Sequence, residues 1–175
     1  MKLPFAYYGQ PVLRKKGAPI NEINEEIRTL VEKMRQTLIE HGNGIGLAAP
    51  QVYQSLALFI TQVPFEEEDG TWNEGVFRVF INPKIISVSE ELYAREEGCL
   101  SIPGVYGEVV RPKSVKITAT DINGSTFEGE FTGLEGRCIL HENDHINGVL
   151  FIDRIRGKAR KDLEPKLQAV KKKYS

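Results

Sequence analysis

The sequence predicts an α+β fold: antiparallel or mixed β-sheets packed around one central helix, with an amphipathic helix near the N-terminus and another helix at the C-terminus. Three observations predict it. Apolar residues recur at helical spacing in separate segments; several short runs between them alternate or are rich in β-formers; and 175 residues are enough for one domain with a sizeable core but short for two. The expected domain therefore spans residues 1–175.

Ile23, Ile27, Leu30, Val31, Met34 and Leu38 share one helical face, so a helix is expected from about residue 24 to residue 41, stopped by Gly42. Strands are expected at 56–61, 76–81, 85–89, 105–111, 115–120 and 126–131, with Asp121-Ile122-Asn123-Gly124 as a hairpin turn. The stretch Phe65-Glu66-Glu67-Glu68-Asp69-Gly70-Thr71 reads as an acidic surface loop. Thr132-Gly133-Leu134-Glu135 reads as a capping box that opens the central helix, and Gly148 after Asn147 closes it. Along that helix Leu134, Cys138, His141 and His145 fall on one stripe. The tail from Lys158 to Lys173 is a basic helix candidate interrupted near Pro165.

Lys and Arg total 23 against 24 for Asp and Glu, a formal net charge of −1, so no global basic field argues for DNA. The first eight residues, Met1 to Tyr8, lack a continuous apolar run, and no later stretch approaches the ~18 residues needed to span a membrane. A cytoplasmic location is expected. Two cysteines do not make a disulfide framework, and a thiolate used for metal binding prefers a reducing compartment.

The segment His141-Glu142-Asn143-Asp144-His145 places two imidazoles one helical turn apart on one face, which suits the grip of a divalent ion. Glu142 points about 100° around the axis, free to handle a proton. Two histidines need a further ligand. Cys138 lies seven residues before His145, too far along the axis, and reads as a core residue. Cys99, with Gly98 before it and Pro103-Gly104 after it, reads as a strand end or bulge and suits a ligand delivered from outside the helix; taken alone it reads more readily as an inert buried thiol. His41 is more simply a residue at a helix C-terminus. In Gly44-Ile45-Gly46-Leu47-Ala48-Ala49-Pro50-Gln51 small residues allow close backbone approach, and Gln51 offers an uncharged donor for a developing oxyanion.

Those three segments, with Glu97-Gly98-Cys99-Leu100-Ser101 as the middle one, resemble the G-x-G-x-A-A-x-Q, E-G-C-L-S and H-E-x-D-H motifs of the peptide deformylase family, complete and in order. The resemblance extends from Tyr8-Gly9-Gln10-Pro11 to Phe151-Ile152-Asp153-Arg154. It implies removal of the formyl group from the N-terminal formyl-methionine of new polypeptides, releasing formate, with Cys99, His141 and His145 as metal ligands. Three protein ligands leave a position for water. On this reading Glu142 takes the water's proton and returns it to the leaving amine, while the Gln51 amide and the Leu100 backbone N–H hold the oxyanion beside the metal. Backbone groups at Ile45 and Gly46 pair with the substrate as an added strand, and an apolar pocket takes the methionine side chain. Thiolate and imidazole suit zinc, nickel, cobalt and ferrous iron, and the resemblance leans to ferrous iron. Leu140 stands where many relatives carry Gln, and Tyr106 where Arg is frequent; both bear on peptide preference.

Asp144 and Arg111 form an opposite-charge pair that would steady the metal-bearing turn. The basic tail reads first as a solvated helix whose cations suit its C-terminal dipole, with weak association with the ribosome as the alternative, and the chain is expected to act as a monomer. Two rivals remain at this stage. A zinc endopeptidase would need a downstream ligand, with Phe151 standing where one class has His and Glu164 the only tempting acid. A structural metal site would need a fourth ligand, for which there is no convincing candidate.

Overall fold

Asn24 starts the first helix, α1 (Glu25–Glu40): its backbone is extended and its side-chain oxygen accepts the Ile27 N–H at 3.1 Å. Glu25 and Glu26 then sit at the positive end of the helix dipole. Val31, Met34 and Leu38 are buried along one stripe, and the chain leaves through His41 and a left-handed Gly42, as expected. The structure is a computed structural model and describes residues 3–42 and 44–175. Two residues of the N-terminal stretch read above, Met1 and Lys2, and Asn43 of the glycine turn lie outside the described residues.

Five strands make the larger sheet, in the order β1 (Gly46–Ala48), β2 (Leu58–Gln62), β5 (Phe77–Val88), β8 (Ser114–Thr120) and β9 (Thr126–Thr132). A short hairpin of β3 (Phe65–Glu66) and β4 (Trp72–Asn73) occupies the expected acidic loop. A separate two-stranded ribbon joins β6 (Leu92–Cys99) to β7 (Ile102–Pro112). All these pairings are antiparallel, which narrows the expected "antiparallel or mixed"; one isolated parallel bridge links Ala18 to Leu56.

The strands expected at 76–81 and 85–89 are one strand, β5, interrupted by register shifts against β8. Asn82 sits in the first shift with φ 51, a conformation asparagine tolerates, and its amide clasps the Ile20 backbone, accepting from N at 2.8 Å and donating to O at 2.7 Å. The hairpin at 121–124 is present, with Asp121 accepting from Asn123 and Ser125.

Helix α2 (Gly133–Ile146) follows β9, and α3 (Gly157–Lys173) closes the chain. The expected capping box does not form. Thr132 occupies the cap position, but Gly133 enters with φ 60, and no side-chain cap bond is made; Glu135 instead accepts from Arg78 Nε at 2.9 Å. Nor does Pro165 interrupt α3. A mid-helix proline costs about 3 kcal/mol, whereas each buried leucine is worth about 1.5–3 kcal/mol, and Leu163, Leu167 and Val170 all bury their side chains on that helix.

The core gathers into three apolar clusters. One joins the face of α1 to β1, β2 and β5; a second joins Phe59, Phe80 and Ile117 to Ile139 and Ile146 of α2; the third joins Val105 and Val109 of β7 to Phe151 and to α3. Helix α2 thus packs on the larger sheet with one side and turns its polar stripe toward the β6–β7 ribbon. Among the described residues no helix is long and apolar enough to cross a membrane.

Candidate functional site

Three segments distant in sequence converge between α2, β1 and the ribbon. Cys99 ends β6, where the ribbon's register shifts between Gly98 and Cys99, which is the strand-end bulge expected for it. One helical turn separates His141 from His145 on α2, and their ring centroids lie 5.1 Å apart. Sγ of Cys99 is 3.3 Å from Nε2 of His145, and the donor atoms of Cys99, His141 and His145 all lie within 4.8 Å of one another.

A divalent ion with sulfur at about 2.3 Å and nitrogen at about 2.0 Å holds tetrahedral donors about 3.5 Å apart, so this trio fits a single ion. No fourth Cys, His, Asp or Glu joins the group among the described residues. The weaker candidates stand elsewhere. Cys138 is buried with Sγ 3.6 Å from the Ile45 carbonyl; His41 caps α1 against Phe5; Glu164 accepts from Arg160 and Gln168 on α3.

Glu97, two residues before the cysteine, organises the polar stripe. Its carboxylate accepts Nε and Nη2 of Arg111 at 2.6 and 2.9 Å, Nδ1–H of His141 at 2.9 Å, and Nη1 of Arg137. With Nδ1 committed to Glu97, Nε2 of His141 is the nitrogen left for an ion. Arg111 reaches on to Asp144 at 2.9 Å, and Arg154 grips the same carboxylate at 2.7 and 2.9 Å. The expected Arg111–Asp144 pair is therefore real and buried, with Arg111 3% exposed and Asp144 8% exposed, where charges survive only if paired.

Burial works to raise the Glu97 pKa, but the hydrogen bonds from His141 and Arg111 outweigh it and hold Glu97 well below the usual carboxylate range. The two histidines separate. Burial depresses both, yet Cys99, Glu97 and Glu142 raise His141 well above its ordinary value, while His145 falls well below it. A thiol and two carboxylates around one imidazole make a pocket that favours positive charge.

Glu142 is 4% exposed, and its Oε1 has no hydrogen-bond partner within the protein. Burial pushes its pKa up to about 7, with the charges of His141 and Arg111 opposing. β1 presses closely on this carboxyl: a Cβ at Gly46 would lie 2.7 Å from Cys138 Sγ and 2.9 Å from Glu142 Oε2. Gln51, on the short turn that follows β1, is held by that strand, its Oε1 accepting the Ala48 N–H at 2.9 Å; Nε2 then points to Ser101 Oγ at 3.0 Å and Cys99 Sγ at 3.7 Å.

Ile45, Gly46, Gln51, Cys99, Leu100 and Glu142 line one cavity of about 640 Å³, with Leu134 and Cys138 supplying apolar wall. Of the expected metal-binding, catalytic and substrate-binding residues, all line this cavity except His145, whose Nε2 lies 3.3 Å from the Cys99 sulfur. Sequence reading missed Glu97, Arg137 and Arg154 as partners of the site, although an arginine four residues before His141 on a buried helix face is itself a sign of a buried carboxylate.

A thiol and two imidazoles with donor atoms grouped together, beside a buried carboxyl that lines the same cavity as the thiol, on an α+β scaffold make the arrangement of a metal-dependent hydrolase. A family model described as polypeptide deformylase matches residues 2–161, and the chain belongs to that family. The peptide deformylase of Psychrobacter cryohalolentis is 42% identical over 170 residues, covering 93% of this chain and 88% of that one. Peptide deformylase 1B of Arabidopsis thaliana, a chloroplastic or mitochondrial protein, is 40% identical over 172 residues; they cover 98% of this chain and 61% of that longer one. The crystal structure of the same plant enzyme with an inhibitor superposes with a TM-score of 0.88 at 40% identity, covering 98% of this chain and 92% of the crystallised one.

Proposed function

We propose that this chain removes the N-formyl group from the formyl-methionine that begins newly synthesised polypeptides, releasing formate, and that one domain spanning residues 1–175 carries the whole reaction. One observation supports the reading beyond family membership: the donor atoms of Cys99, His141 and His145 lie within 4.8 Å of one another, and Glu142 and Gln51 line the cavity that Cys99 and His141 line.

Cys99, His141 and His145 would hold one divalent ion, which supplies a Lewis acid that acidifies water and polarises the formyl oxygen. Glu142 takes a proton from the water as its oxygen bonds to the formyl carbon, and gives that proton to the amine nitrogen as the C–N bond breaks. Formate and a free methionyl amine leave. A carboxyl that burial holds near neutrality, with one oxygen unbonded, suits both transfers. Gln51 Nε2 and the Leu100 N–H donate to the oxyanion as it develops, and Gln51 is already anchored through its carbonyl, so it needs no reorganisation. Glu97 keeps His141 in one tautomer and one orientation.

The peptide adds as a strand on the free edge of β1, at Ile45 and Gly46. The Ile45 carbonyl accepts from Gln62 at 2.8 Å, so by antiparallel alternation the backbone groups of Gly46 face away from β2, toward the incoming chain. Leu134 and Cys138 supply apolar surface for the methionine side chain. In this reading the ion is ferrous iron in the cell, the enzyme works as a monomer in the cytoplasm, and the basic face of α3 gives weak ribosome association. The test is anaerobic purification with metal analysis, followed by formate release from a formyl-methionyl peptide. One equivalent of metal and stoichiometric formate are expected. Cys99→Ala is expected to lose both; full activity in that variant would overturn the assignment.

A further inference from the structure

Tyr7 and Tyr174, far apart in sequence, both reach the cavity. The extended segment before the short turn Pro11–Arg14 is pinned on either side of Tyr7: Ala6 N–H donates to the Gln51 carbonyl at 2.7 Å, and Tyr8 N–H to the Ser101 carbonyl at 2.9 Å. Tyr7 is thereby fixed where the glutamine and the cysteine turn meet. Tyr174, just past α3, lies flat against it, with ring centroids 3.7 Å apart and planes at 12°. Gln10 Nε2 donates to the Tyr174 carbonyl at 3.3 Å, and Lys173 Nζ lies 5.4 Å from the centre of the Tyr174 ring. Phe5 extends the row, 5.3 Å from Tyr7 and 4.9 Å from His41. Tyr7, His41 and Tyr174 all line the cavity, yet the chemistry above uses none of them.

The direction of the substrate brings it to this row. Gly46 abuts Glu142, whereas a Cβ at Gly44 would lie 3.1 Å from a Leu100 methyl group, and His41 stands beyond, at the end of α1. A peptide whose formyl end is at Glu142 and which pairs with the edge of β1 therefore runs antiparallel to it, past Gly44. At about 3.4 Å per residue, the first two residues cover that step and the third arrives beside His41 and Tyr7.

We infer that Tyr7 and Tyr174, with His41, form a binding wall for the side chain of the third residue of the formylated peptide, favouring aromatic and large apolar side chains there. This rests on the deformylase reading above. Stacking occupies one face of each ring and leaves the ring edges available to an incoming side chain. Ring edges carry the positive side of the quadrupole and meet the face of an incoming ring in the T-shaped contact that aromatic pairs prefer. The end of α3 thus belongs to the peptide-binding surface.

The test compares formyl-Met-Ala-Phe with formyl-Met-Ala-Gly in the wild type, Tyr174→Ala and Tyr174→Phe, alongside calorimetric binding of the products Met-Ala-Phe and Met-Ala-Gly. One edge-to-face contact corresponds to about a fivefold effect. The Phe-to-Gly ratio of kcat/KM is expected to fall about fivefold in Tyr174→Ala, through KM, and to survive in Tyr174→Phe; deletion of Tyr174 and Ser175 should behave as the alanine variant. A ratio unchanged in Tyr174→Ala, or both peptides losing equally, would overturn the wall and leave Tyr174 as a support for α3. Failure of the wild type to release formate from either peptide would instead overturn the deformylase reading, and the product-binding ratio would still decide the wall.

Discussion

Removing Arg111 asks how much of the metal site is held from behind. Its guanidinium donates three hydrogen bonds, two to Glu97 and one to Asp144, all buried. Breaking a buried ion pair by deleting one partner costs about 3–5 kcal/mol, because the other charge is left in a poor solvent. Here neither carboxylate is left alone: Glu97 keeps Arg137 and His141, and Asp144 keeps both nitrogens of Arg154. Arg111→Ala should therefore fall near the lower end, about 3 kcal/mol, measured by urea unfolding of the metal-free protein. A second effect separates this from generic damage. Glu97 loses its bidentate partner and with it the fixed direction from which it orients His141, and loss of such an orienting partner weakens metal binding about 10- to 100-fold. Competition against a chelator at a temperature where the variant remains folded measures that directly. A double-mutant cycle with Asp144→Asn should show coupling of about 0.5–3 kcal/mol. Wild-type metal retention in Arg111→Ala, or strict additivity with Asp144→Asn, would refute the idea that the network steadies the site.

Glu142→Gln should keep its metal and lose at least about a hundredfold in kcat, since the variant cannot take up the water's proton; formate release and metal analysis on one sample check both. Gly46→Ala should cost activity more than fold, because the added methyl meets Cys138 Sγ and Glu142 Oε2 and displaces the carboxyl rather than the strand; a variant with normal kcat would show that β1 yields freely. Asp153 tests the sign of a surface linkage: burial raises its pKa, but the hydrogen bonds from Arg14 and the Leu150 N–H prevail and lower it. A depressed folded pKa gives stability that is present above the unfolded value and lost as pH falls through the folded one, so Asp153→Asn should destabilise more at pH 7 than at about pH 3. Equal loss at both, by urea titration, would show that the charge of Asp153 contributes nothing.

Much of the scaffold was legible because local chemistry and tertiary packing agree. Asn24 does cap α1, Gly42 and Gly148 do carry positive φ at helix ends, and Asp121 to Gly124 do turn the hairpin. Where the reading failed, a distant contact overrode a local preference. Gly133 takes a left-handed conformation that keeps Thr132 from its capping partner, and Arg78 from β5 takes Glu135 away. Pro165 is carried inside α3 by a stripe of buried side chains that a local rule does not weigh. Cys99, His141 and His145 were legible as a set because each sits in a motif whose spacing has a mechanical meaning.

Among the strands outside the expected ranges, β6 is the one that delivers the cysteine; only its end at Cys99 was legible, and the two facts have one cause. Apolar alternation reveals a strand when its inner face packs on hydrocarbon. The inner face of β6 packs instead on charge: Glu97 lies against two arginines and a histidine, so Leu92-Tyr93-Ala94-Arg95-Glu96-Glu97-Gly98-Cys99 reads as surface although Glu97 is buried. Imidazoles that hold a cation, as proposed above, are served by a carboxylate in fixed geometry, and a fixed ion-pair network costs desolvation that an apolar strand would avoid. The polar pattern that conceals the strand is thus the pattern the proposed metal site would use, and hydrophobic periodicity fails here because buried charge stands where hydrocarbon usually does.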